Sequence, residues 1–211
     1  LRERGLDWPF FGYTMIGQKR LDNIQHAVET VLQENIPGDF METGVWRGGA
    51  VLLMKAILDA QGVTDRTVWC ADSFEGLPPP NEKDREISEQ SDFSDRAFLA
   101  VSQEQVEANF RRFDLLDDNV KFLKGWFSET LPSAPVEKLA VLRCDGDLYE
   151  STMDALVNLY PKLQPGGFLI IDDYASWAGC KQAITDYRAE HGITAEIQMI
   201  DDHAAFWRLP E

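Results

Sequence analysis

Apolar strand-like runs and amphipathic helical runs alternate along this chain, and that alternation most restricts its fold. The segment "KRLDNIQHAVETVLQENIPGD" places Leu21, Ile24, Ala27, Val28, Val31 and Leu32 on one helical face, with Pro37-Gly38 as its stop. "DFMETG" reads as a short strand ending at Gly44, and "GGAVLLMKAILDAQG" as a helix closed by Gly62. "RTVWCAD" is a second strand. "SQEQVEANFRRFDLL" is a helix with Ser102 at its N-cap and Gln105 at capping-box spacing. "NVKFLKG" and "EKLAVLRCDGD" hold the third and fourth strands. "LYESTMDALVNLYPKLQPGG" is a helix ended by Pro165-Gly166, "FLIIDDY" is the fifth strand, and "CKQAITDYRAEHG" is a further helix. "AEIQMIDDHAAFWRLP" reads as a closing hairpin with its turn near Asp201-Asp202-His203. The expected fold is therefore α/β: a doubly wound, mostly parallel seven-stranded sheet with a C-terminal antiparallel hairpin.

No repeat, low-complexity block or linker interrupts residues 1–211, so one domain is expected. Residues 1–20 form an N-terminal segment whose aromatics Trp8, Phe10, Phe11 and Tyr13 suit core or lid packing. Residues 73–100 are acidic and proline-bearing without a clear period; a segment this long in a compact domain suits a substrate lid. The net charge of -16 opposes binding to nucleic acid or an anionic membrane and favours cations. Cys70, Cys144 and Cys180 match neither a zinc pattern nor a disulfide framework, which suits a reduced, cytoplasmic setting. No apolar run approaches a membrane span, and no signal-peptide pattern is read at Leu1, though the missing Met is compatible with residues upstream.

In such sheets ligands bind at the carboxyl ends of the strands. The polar residues there are Glu42-Thr43-Gly44, Asp72-Ser73, Gly125-Trp126, Asp145-Gly146-Asp147 and Asp172-Asp173. "METGVWRGGA" supplies a glycine-rich strand-to-helix turn that suits close ligand approach, but it is not GxGxxG, which disfavours an NAD(P)-dependent oxidoreductase. An acid at the end of the next strand, Asp72, suits the ribose hydroxyls of a nucleoside cofactor. Two carboxylate pairs at neighbouring strand ends would raise each other's pKa, and a hard divalent cation such as Mg²⁺ resolves that conflict. The competing reading is capping: Asp147 could cap the helix from Leu148, and Asp173 could face solvent. His26, His191 and His203 read as structural, and neither a Gly-x-Ser-x-Gly elbow nor a P-loop occurs.

Together, "YTMIGQKRLDNIQHAVE", "GDFMETGVWRGGAVL", "VWCADSFEGLP", "RRFDLLDDNVKFLKGWFSETLP", "LAVLRCDGDLYESTMDAL" and "GGFLIIDDY" resemble the macrocin O-methyltransferase (TylF-like) family, from about Tyr13 to about Tyr187. The resemblance implies a class I, Rossmann-like methyltransferase. It implies S-adenosylmethionine and Mg²⁺ as cofactors and a small-molecule acceptor, most often a sugar hydroxyl of an antibiotic. It also allows homodimers or higher homo-oligomers. Carried over by position, Thr14, Met15 and Gly17 with Glu42, Thr43 and Gly44 would hold the methionine part of the cofactor. Asp72 would take the ribose with Ser73 beside it, and Trp126 would lie by the adenine. Asp145, Asp172 and Asp173 would ligate the metal, Asp145 thus reaching the cofactor as well. Asp147 would support them or act as an accessory acid, and Asp145 or Asp147 would take the acceptor's proton. Residues 73–100 contain no His, so no His base is expected from that lid. A phenol or catechol acceptor, and a binding protein without chemistry, are the alternatives.

Overall fold

The computed structural model describes residues 2–4, 11–84 and 97–210. Helix α1 (Gln18–Gln33) leads into β1 (Asp39–Thr43), α2 (Gly49–Ala60) and β2 (Val68–Asp72). Then come α3 (Gln103–Arg112), β3 (Val120–Lys124), the short α4 (Phe127–Thr130) and β4 (Leu139–Cys144). Helix α5 (Tyr149–Leu159), β5 (Leu163–Ile171), α6 (Ala178–Glu190), β6 (Gln198–Met199) and β7 (Ala205–Arg208) complete the order. The seven strands form one sheet in the order β3-β2-β1-β4-β5-β7-β6. Strands β1 to β5 pair in parallel, while β7 pairs antiparallel with both β5 and β6. The expected α/β sheet with its terminal hairpin is what the chain forms.

Each central strand is apolar on both faces because helices cover both. Phe40, Val68 and Val141 point toward α1, α2 and α3, where Ile24, Val51 and Phe110 meet them. Their neighbours Met41, Trp69 and Leu142 point the other way, toward Leu156 of α5 and Ile184 of α6. A two-residue period sends successive side chains to opposite faces, so continuous apolar runs, not alternating ones, mark these strands.

Several boundaries differ from those expected. Helix α1 ends at Gln33, before Pro37, with Asn35 in the left-handed region (φ 56) turning the chain. Helix α3 stops at Arg112, where Asp114 takes φ 57. Strand β5 starts at Leu163, five residues ahead of Phe168, because Leu163 already pairs with Leu139. The register shift in that pairing accommodates Pro165, which cannot donate to a regular ladder. The Ser102 cap is present: its Oγ accepts from Gln105 N at 3.3 Å. Trp8, Phe10 and residues 85–96 of the expected lid lie outside the described residues.

The sheet order reverses between β1 and β4. From β1 the chain steps outward through β2 to β3, then returns to β4 on the other side. Asp145 N donates to Thr43 O at 2.9 Å, so the two strands end side by side. A crevice opens where the connections diverge.

Candidate active site

The turn from β1 to α2 forms one wall. Gly44 (φ 86) lies so close to β4 that a Cβ there would overlap the Asp145 carbonyl oxygen. At Gly49 a Cβ would sit 2.5 Å from Tyr13 O, and Gly49 N donates to that oxygen at 2.9 Å. The segment before α1 therefore lies directly on the glycine turn. Asp72 braces the turn from β2: its Oδ2 accepts from Val45 N (2.7 Å) and Trp46 N (3.3 Å), and its Oδ1 from Phe74 N (2.7 Å). Burial raises the Asp72 pKa, and these backbone donors oppose the rise. Oδ2 is thereby saturated, so a ribose would have to be met mainly through Oδ1. Ser73 is also internally engaged, donating to Gly76 O at 2.8 Å and accepting from Glu75 N at 3.0 Å.

The opposite wall carries the carboxylates. Ligand oxygens of Asp145, Asp147 and Asp173 lie within 4.8 Å of one another. Asp147 sits at φ 55, a position that costs strain for a non-glycine residue, and Leu148 N reaches back to Gly146 O at 2.5 Å across it. The N-cap residue of α5 is Leu148, and the first helical N–H, that of Tyr149, donates to Asp84 Oδ1 at 2.9 Å. Asp173 is buried, not solvent-facing, and its Oδ2 has no hydrogen-bond partner among the described residues. Burial, then the charges of Asp147, Asp145 and Asp172, push its pKa well up.

Asp172 has a different environment. Its Oδ2 meets Arg20 Nη1 at 2.5 Å, and its Oδ1 pairs with Arg143 Nη2. Arg143 Nη1 also holds Asp145 Oδ2 at 2.8 Å and Glu42 Oε1. Arg20 Nε continues the chain of ion pairs to Asp201 Oδ2 at 2.7 Å. Glu42 lines the crevice, and its buried Oε2 has no hydrogen-bond partner among the described residues. Burial pushes Glu42 up to about 8 against the pull of Arg143.

These walls enclose one cavity of about 520 Å³. Thr14, Met15, Glu42, Gly44, Asp72, Ser73 and Trp126 line it, as do Asp145, Asp147, Asp172 and Asp173. Gly17 and Thr43 do not. Gly17 instead occupies the N-cap position of α1, and Thr43 is wholly buried. Arg20, Arg143, Glu150, Ser176, Trp177 and His203 line the cavity without having been singled out for it in the sequence. His26 and His191 are structural, packing on Phe168 and Tyr187. His203 reaches the cavity wall because its turn is pinned to the end of β5, Ala175 N donating to His203 O at 2.7 Å. A signal for Arg143 was present: a lone charge inside the apolar run "LAVLRC" demands buried partners. Arg20 and His203 carry no such local mark.

The chain is 55% identical over 205 residues to the 8-demethyl-8-(2,3-dimethoxy-alpha-L-rhamnosyl)-tetracenomycin-C 4'-O-methyltransferase of Streptomyces olivaceus, covering 97% of this chain and 78% of that protein. It is 53% identical over 212 residues to the demethyldecarbamoylnovobiocin O-methyltransferase of Streptomyces niveus, covering 99% and 80%. The solved structure of the O-methyltransferase NovP superposes with a TM-score of 0.94 at 51% identity, over 100% of this chain and 87% of that one. Residues 1–209 match the family described as Macrocin-O-methyltransferase (TylF). With that match and those identities, the chain belongs to the macrocin O-methyltransferase family and is an O-methyltransferase.

Proposed function

We propose that the enzyme transfers the methyl group of S-adenosylmethionine to a sugar hydroxyl of an antibiotic-type glycoside, with a divalent cation, Mg²⁺, at the carboxylate cluster. The observation that carries this reading is the placement of two unmet demands in one cavity. Glu42 Oε2, beside the glycine turn, lacks a donor, and Asp173 Oδ2, within the acidic cluster, lacks a positive partner. The first suits the ammonium of the cofactor's methionine part. The second suits a hard cation, because like charges and burial together disfavour an ionised Asp173 on its own. The acceptor class is supported by the relative whose name gives a rhamnosyl-bearing tetracenomycin as the molecule methylated.

Residues of this chain then divide the work. The glycine turn and Glu42 hold the methionine part, Asp72 Oδ1 meets the ribose, and Trp126 packs near the adenine. S-adenosylmethionine supplies an electrophilic methyl on sulfur, and the acceptor oxygen takes it as the S–C bond breaks. A bound Mg²⁺ would lower the pKa of that hydroxyl and fix its position. The hydroxyl proton passes to a carboxylate oxygen of Asp147 or Asp145. Holding both reactants together in this cavity would contribute much of the rate enhancement in a transfer of this kind.

Asp145 and Asp173 are common to the cluster the side chains form and to the set expected from the family resemblance. The third carboxylate is Asp147 as the side chains are arranged; Asp172 would first have to release Arg143 or Arg20. Mn²⁺ binding to Asp147→Asn and Asp172→Asn proteins assigns that place to the variant that loses affinity. Methyl transfer to glycosides such as demethyldecarbamoylnovobiocin, followed by mass spectrometry, tests the whole reading. We expect turnover to stop with EDTA and return with Mg²⁺; undiminished turnover in EDTA would remove the cation from the reading.

A further inference from the structure

Arg143 is the most unusual residue of the sheet. It is 1% exposed one residue before the carboxyl end of the central strand β4, where all six residues are buried. Its partner in register on β1 is Glu42, and on β5 it is Ile170. A guanidinium in that position needs carboxyl groups at its donors. Nε has no partner among the described residues, but both terminal nitrogens are met: Nη1 is shared by Glu42 Oε1 and Asp145 Oδ2, and Nη2 goes to Asp172 Oδ1. These carboxyl groups line adjoining parts of the cavity wall: Glu42 stands at the start of the glycine turn, Asp145 lies between that turn and the carboxylate cluster, and Asp172 stands beside the cluster.

We infer that Arg143 is a positioning residue serving both halves of the cavity at once, and that it couples occupancy of one half to occupancy of the other. The inference rests on the two halves proposed above. By holding Oε1 of Glu42, Arg143 fixes the carboxylate whose Oε2 remains for the cofactor. By holding one oxygen of Asp145 and one of Asp172, it sets how those side chains enter the acidic cluster. Because one nitrogen serves both Glu42 and Asp145, the two compete for it. When Asp145 turns to a cation, Nη1 serves Glu42 alone and holds it more firmly, so each ligand should strengthen the other's binding. Lysine cannot replace this arrangement, because a single ammonium lacks the planar fork that reaches three carboxylates at fixed angles.

The test measures two affinities on the full chain. S-adenosylhomocysteine is titrated by calorimetry, and Mn²⁺ by the loss of its free electron-paramagnetic-resonance signal. Binding of both by the wild-type protein tests the two-half reading itself. A wild type that binds no Mn²⁺ overturns that reading and the coupling with it. Given both, Arg143→Lys should weaken each affinity by about tenfold or more, in line with loss of a forked, buried contact. Ile170→Val, the neighbouring core change, should lower the melting temperature and leave both affinities unaltered. A folded Arg143→Lys protein in which either affinity stays within about twofold of wild type overturns the dual role. If that variant does not fold, the wild type alone decides. S-adenosylhomocysteine should bind about threefold more tightly with saturating Mn²⁺, and equal affinities with and without metal overturn the coupling.

Discussion

Glu42 shows how strongly a single side chain can depend on its surroundings here. Its ordinary value of 4.5 rises to about 8, burial being the largest cause and Arg143 the main opposing one. A carboxyl whose folded value is raised keeps its proton in the folded state when the unfolded chain has lost it. Its contribution to stability is full below about 4.5 and is lost as pH rises through about 8. The ligand-free protein should therefore melt at least about 5 °C lower at pH 8.5 than at pH 5, and Glu42→Gln should flatten that slope. Parallel slopes in thermal melts of the two proteins would show that Glu42 is not the titrating group. That Glu42 belonged to the site was legible from its place at a strand end. Its protonation was not, because Arg143, Asp145 and Asp172 are all about a hundred or more residues away along the chain.

At the scale of elements, the start of α5 depends on a residue from the region after β2. Asp84 is buried, accepts from Tyr149 N, and also accepts from Asn81 N at 3.3 Å. Asn81 in turn reaches Glu150 Oε1 at 2.8 Å, and Lys83 Nζ lies 3.5 Å from the centre of the Tyr149 ring. Gly179 of α6 makes room for the Asp84 carboxylate, which a Cβ there would overlap. This contact fixes the foot of the acidic segment against two helices beside the cavity. Asp84→Ala removes a cap worth about 1 kcal/mol, which corresponds to roughly 2–4 °C in melting temperature for a chain of this size. Gly179→Ala should cost at least as much. Both variants should bind S-adenosylhomocysteine normally by calorimetry yet show a raised acceptor KM. A weakened cofactor affinity would instead place this contact in the cofactor half. Capping by Asp147 was only the competing reading of the sequence, resting on its being the adjacent acid. The observed cap comes from 65 residues earlier, and only packing of the segment on α6 could bring it there.

For the molecule as a whole, the net charge of -16 is a cost of compactness and an attraction for cations. Raising NaCl from about 20 to about 300 mM should raise the melting temperature by a few degrees through screening. Millimolar Mg²⁺ should add a further rise that NaCl of equal ionic strength does not reproduce, since bound cation stabilises only the folded form. Identical melts in the two salts would leave the carboxylate cluster without a specific cation. Periodicity, glycine turns and strand-end acids are local patterns, so the sequence by itself determined the α/β sheet and the terminal hairpin, and with them that strand-end acids line one crevice. Which aspartates pair with arginine and which converge on one another was decided by tertiary structure alone. Arg20 and Arg143, 123 positions apart in the chain, meet on Asp172 and engage both of its oxygens, while Asp145, Asp147 and Asp173 converge beside them. Charge pairing across that distance is set by the sheet order, and no local pattern records it.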